Sequence, residues 1–141
     1  ERQFCSPALN LPVGRLTRTP NGEYPEYHTS ADDLKVVGPE FLFDSFRAIW
    51  RVMEVLEGNA TYLNQFGKGE PQLGRRGMYR KLGGYQGIEQ QQLAMLWVLN
   101  QSDGTHSLLD IAEKAKLPFG VVRSIADDLV DAELLIEVRP E

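Results

Sequence analysis

Histidine and cysteine are scarce in this chain: among 141 residues there are two of the first and one of the second. A lone Cys5 cannot form an internal disulfide, and without a cysteine pair there is no zinc ribbon or dithiol redox motif. A nucleophilic role for Cys5 lacks a histidine nearby in sequence. No HExxH segment occurs, so the chain carries no self-contained helical zinc-protease motif. Neither GxxxxGK[ST] nor GxGxxG is present, which removes the common phosphate cradles. No apolar run approaches the roughly 20 residues that a membrane helix needs, so no membrane partner is expected. One unpaired thiol fits a reducing compartment, and a cytoplasmic location is the expectation.

What is present is ordinary in amount and uneven in distribution. Hydrophobic residues make up 42% and charged residues 25%, the balance of a globular protein. The net charge of −5 divides the chain into three pieces. Residues 1–66 carry −3, residues 67–85 carry +4, and residues 86–141 carry −6.

Residues 1–66 read as the tail of an α/β domain. Leu9 to Thr17 alternates enough to suggest a short strand, and Thr19-Pro20-Asn21-Gly22 is a turn. Gly38-Pro39-Glu40 opens a long helix that Gly58-Asn59 should stop. That helix carries Phe41, Phe43, Phe46, Ile49, Trp50, Met53 and Leu56, a face wide enough to need a sheet beneath it. Sixty-six residues supply one or two strands at most, so this piece is not expected to fold well alone. Residues 67–85 hold seven glycines or prolines with Lys68, Arg75, Arg76, Arg80 and Lys81, and read as a basic linker.

Residues 86–141 have the rhythm of a winged helix-turn-helix and are expected to fold alone. A first helix from Ile88 to Leu99 should bury Leu93, Leu96, Trp97 and Val98. Ser107 caps a second helix, with Asp110 three residues on. Pro118 sits near the start of a third, which carries Val121, Val122, Ile125, Leu129 and Val130. Leu134 to Val138 reads as a strand. His106 falls in the loop before the second helix. The third helix would be the DNA reader, yet it offers one base, Arg123, against Asp127, Asp128 and Asp131. Acids facing phosphates repel them, so the module is expected to bind protein rather than DNA. A DNA-binding regulator and a non-catalytic interaction module remain the alternatives.

The most informative stretch is Glu26-Tyr27-His28-Thr29-Ser30-Ala31-Asp32-Asp33. Thr29 and Ser30 each precede an aspartate by three residues, the pattern of a capped helix start. His28 leaves the chain just before that cap, where a neutral ring nitrogen could ligate a metal. Asp32 is near enough in sequence to orient it. Tyr27-His28-Thr29 followed by Asp32 resembles the last metal-binding segment of the co-catalytic zinc aminopeptidases. Glu1-Arg2-Gln3-Phe4-Cys5-Ser6-Pro7, Asn10-Leu11-Pro12-Val13-Gly14, Glu70-Pro71-Gln72-Leu73-Gly74 and Gly77-Met78-Tyr79 resemble a bacterial aminopeptidase-like branch that ends in a winged helix.

The resemblance implies an α+β chain: the C-terminal fragment of an α/β zinc-aminopeptidase-like domain (1–66), then the linker (67–85) and a winged helix-turn-helix domain (86–141). It implies zinc as the cofactor of the complete parent protein, with His28 as one ligand and Asp32 behind it. That family's other ligands and its general base lie upstream of these blocks, and the chain opens inside such a block at Glu1. The reading is therefore of a hydrolase fragment that is not catalytic alone. Its partners would be the upstream catalytic part and, through the winged helix, a second copy of itself.

Overall fold

The structure is a computed structural model that describes residues 2–69, 71–79 and 88–138. Glu1, Glu70, Arg80, Lys81, Gly83 and Gly84, which figure in the sequence reading, lie outside the described residues. The chain divides into two compact units, Glu1–Arg51 and Val52–Glu141. The architecture is helical with one small antiparallel sheet, an α+β arrangement.

In the first unit the backbone is mostly a series of turns, up to helix α1 (Pro39–Gly58), which continues past the unit's last residue. Gly38 and Pro39 start α1 as the sequence predicts, with Phe41 and Leu42 donating their amides to the Gly38 carbonyl. The turn at Pro20 is also present: Glu23 N donates to Pro20 O at 3.1 Å and Gly22 has φ of 86°. Two expectations fail. Leu9 to Thr17 forms no strand, and no helix follows Thr29. His28 takes a φ of 60°, in the left-handed region, just before the position where the cap was expected. The aromatic face of α1 is exposed, with Phe43 at 61% and Trp50 at 52%.

The second unit is built around a sheet that the sequence reading did not assemble. Strand β1 (Thr61–Asn64) is central, between β2 (Asp103–Ser107) and β3 (Leu135–Val138), both antiparallel to it. β1 pairs with β3 in continuous register from Thr61↔Val138 to Asn64↔Leu135. Its pairing with β2 is irregular between Thr61 and Leu63. Asp103 causes part of that irregularity: its carboxylate accepts from the amides of Thr105 and His106, and Gly104 takes φ of 85°. Residues 61–64, placed by sequence in the first piece, therefore supply the middle of the winged-helix sheet. Residues 86–141 alone lack it, which removes the basis for expecting them to fold independently.

Between the strands lie α2 (Ile88–Gln101), α3 (Leu108–Ala115) and α4 (Phe119–Asp131). Ser107 caps α3 in a capping box: its hydroxyl accepts from the Asp110 amide, and the Asp110 carboxylate accepts from the Ser107 amide at 2.8 Å. Lys116, at φ of 55°, closes α3 in the left-handed conformation, and Pro118 stands just before α4. α2 turns a different face inward from the one its leucines suggest. Ala94, Met95 and Val98 are buried, Trp97 is partly so, and Leu93 and Leu96 are exposed. Fully buried Ala94 on α2 and Ala126 on α4 leave room for helices to approach closely, and that requirement outweighs leucine hydrophobicity. The expected linker also contributes to the core, through Leu73 and Met78, each 2% exposed.

Candidate metal-ligand segment and winged-helix face

Residues 24–33 form a compact knot of turns. Thr29 N donates to Glu26 O at 3.0 Å, and the Thr29 hydroxyl donates to the same carbonyl at 2.7 Å. That hydroxyl accepts from the Ala31 amide, which closes a side-chain turn rather than a helix cap. His28 projects from this knot with its ring edge-on to Tyr27, centroids 4.2 Å apart, and Tyr24 meets Tyr27 the same way at 5.4 Å. The His28 side chain is exposed and makes no hydrogen bond among the described residues.

Asp32 is bonded elsewhere: it accepts from the Tyr24 hydroxyl at 3.4 Å and has no bond to His28. Partial desolvation, and then the Asp32 carboxylate, push the Tyr24 phenol above its ordinary value. Among the described residues no group of three His, Cys, Asp or Glu side chains converges on one point. A zinc ion takes about four ligands, three of them from protein in a catalytic site. The described residues thus offer one exposed histidine and do not by themselves fit a complete zinc site. Cys5 is exposed, with its sulfur 3.3 Å from the Val13 carbonyl oxygen. His106 Nδ1 lies 3.0 Å from Asp103 Oδ2 within β2, a strand and not the loop expected from sequence. The hydroxyl and amide of Thr105, and then His106, hold the Asp103 carboxyl well below the usual carboxylate range.

On the winged helix the third helix carries one base against three acids. Arg123, its one base, donates through Nε to Asp127 Oδ1 at 3.3 Å, and its guanidinium lies against Gly58 at the end of α1. The Phe119 ring comes within 3.2 Å of where a Gly58 Cβ would stand. Arg76, from the basic stretch, lies over the Phe66 ring at 4.6 Å and donates to the Pro71 and Ala132 carbonyls. Two of the cations that make a DNA reading conceivable are thus engaged within the protein.

Residues 60–137, more than half of the chain, match the winged helix-turn-helix family. The chain belongs to that family. Ahead of its winged helix-turn-helix, residues 1–59 match a domain of unknown function (DUF4910). These two matches meet at residue 60, consistent with β1 belonging to the winged helix-turn-helix. A protein of Clostridium acetobutylicum described as a "putative polysaccharide biosynthesis protein with aminopeptidase-like domain" is 49% identical over 135 residues, covering 96% of this chain and 31% of the relative. A crystal structure of a "putative peptidase" from the same organism superposes with a TM-score of 0.83 at 44% identity, over 97% of this chain and 29% of that one. The chain thus spans about a third of the length of these relatives.

Proposed function

We propose that this chain acts as part of a longer, zinc-dependent aminopeptidase-like hydrolase, to which it contributes one metal ligand, His28, and a winged-helix module that docks protein. The observation that carries the reading is likeness along nearly the whole chain to a relative with an aminopeptidase-like domain. The geometry supports it locally. His28 is held out from a knot of turns with both ring nitrogens unbonded among the described residues, as a ligand awaiting its metal would be. Asp32 stays within the same knot, fixed by Tyr24, where it adds negative charge near the histidine. Zinc, when bound, would polarise an amide carbonyl and ease deprotonation of water. The remaining ligands and the general base would come from other parts of the longer protein, so this chain alone hydrolyses nothing. We place the protein in the cytoplasm on the strength of its single cysteine; among the described residues no helix is long and apolar enough to cross a membrane.

The test is metal content. Zinc per chain, measured by elemental analysis of the full-length protein, should fall strongly on His28→Ala. Unchanged occupancy would overturn the ligand assignment. The DNA-binding alternative has the winged helix-turn-helix match in its favour, and the charge of α4 against it: the helix carries Asp127, Asp128 and Asp131, and its one arginine is paired with Asp127.

A further inference from the structure

Phe66 stands where three depressions of the second unit meet. The largest holds about 590 Å³ and is walled by Leu63, Phe66, Leu96 and Leu99, with Ser102 among its lining residues. Leu63, Phe66 and Leu96 are large apolar side chains left exposed, at 42%, 39% and 58%. One side chain braces the walls: Asn64 Nδ2 donates to the Leu99 carbonyl at 2.8 Å, and Asn64 Oδ1 accepts from the Phe66 amide at 2.8 Å. Ser102 is the odd member. It is 2% exposed, and its amide and carbonyl are bonded to Val98 and Asn64. Its hydroxyl is shut off from water and has no hydrogen-bond partner. A buried hydroxyl costs free energy until a bonding group reaches it.

The cations beside this groove are unanswered. Lys68 lines the second depression and Arg75 the third. Both are exposed, and neither has a side-chain hydrogen bond or ion pair among the described residues. Unpaired cations next to an apolar groove favour carboxylates next to an apolar side chain. A single-stranded nucleic acid fits less well. One face of the Phe66 ring is taken by the Arg76 guanidinium, 4.6 Å from the centroid, and Asp103 borders the largest depression. A side chain that is apolar along its length and polar at its tip suits both the walls and Ser102, and tyrosine is such a side chain. We propose that the winged-helix module docks its partner in this groove, and that the occupant is a protein segment carrying a tyrosine flanked by carboxylates. The tyrosine ring lies along Phe66 and Leu96 with its hydroxyl toward Ser102, and the carboxylates meet Lys68 and Arg75. This rests on the docking half of the reading above and uses nothing of its hydrolase half.

The test is titration of the isotope-labelled chain with the peptide acetyl-Asp-Glu-Tyr-Asp-Glu-amide, followed by amide chemical shifts. Saturable shifts are expected at Phe66, Leu96 and Ser102. The phenylalanine analogue of the peptide should bind severalfold more weakly, and the serine analogue not at all. Leu96→Ser and Arg75→Glu should each weaken the tyrosine peptide about tenfold or more, with Lys35→Glu in the first unit unchanged. Ser102→Ala removes a hydroxyl with no bond to lose, so the melt should hold while the preference for tyrosine over phenylalanine disappears. Because the rest of the spectrum reports folding, a misfolded variant is recognised directly, and the peptide analogues then carry the comparison. Equal binding of the tyrosine and serine peptides, affinity untouched by Leu96→Ser and Arg75→Glu, or a tyrosine preference that survives Ser102→Ala would overturn the proposal. So would tighter binding of an oligothymidylate of the same charge, which would make the groove a nucleic-acid site. If His28→Ala empties the zinc while no peptide binds, the groove falls and the hydrolase stands; the reverse pattern removes the hydrolase and keeps the groove.

Discussion

The guanidinium of Arg123 fills the space in which a side chain at residue 58 would sit, and only glycine leaves that space open. The consequence depends on which neighbour must move. Arg123 is the far end of a flexible side chain, so Gly58→Ala should displace it and cost within about 1 kcal/mol. A larger side chain meets the Phe119 ring, which is partly buried against the core. Gly58→Leu should therefore cost about 1–3 kcal/mol in urea unfolding. Equal stability of both variants would show that α1 and α4 do not meet at Gly58.

The same contact bears on nucleic acid. Random duplex DNA should bind negligibly at about 150 mM salt, and Arg123→Glu should change nothing in fluorescence anisotropy. Tight binding that falls steeply with salt and disappears in Arg123→Glu would restore the DNA reading.

The Gly- and Pro-rich stretch behaves as part of the winged-helix core. Leu73→Ala and Met78→Ala should each lower stability by about 2–5 kcal/mol, because both side chains are almost wholly buried. A true linker would tolerate both changes without a shift in the melt.

Acid should loosen β2 and the start of α3. The carboxyls of Asp103 and Asp110 are both lowered from 3.8, the first by Thr105 and then His106, the second by bonds from Ser107. A lowered folded value means that the contribution is complete above about pH 4 and is lost as pH falls through the folded values. Asp103→Asn should therefore flatten the fall of stability below about pH 4 in circular-dichroism melts. Ser107→Ala should cost about 1 kcal/mol at neutral pH through the lost cap.

What could be read from sequence was local. The limits of α1 follow from Gly38-Pro39 and Gly58-Asn59, and the α3 cap follows from Ser107 and Asp110, because each depends on neighbours within a turn. β1 and β2 were not legible. Thr61–Asn64 is too short to show a period, and it is a strand only because Leu135–Val138 lies beside it. The inward face of α2 was misjudged because two alanines set it, where leucine counts point the other way. In the candidate site, His28 stood out by rarity, but its left-handed backbone gave no pattern signal.

The position of β1 also orders events in time. The middle strand of the sheet leaves the ribosome before all three helices of its module, and its two partners follow roughly 40 and 70 residues later. Until Leu135–Val138 is made, Tyr62 and its neighbours have one irregular edge to hold and one open edge exposed. Sheet closure is then a late step, set by loop closure over most of the module's length rather than by helix formation. A nascent chain halted before residue 135 would present an unpaired strand to any other chain nearby, which makes the last few residues of the module the guard against misassembly during synthesis.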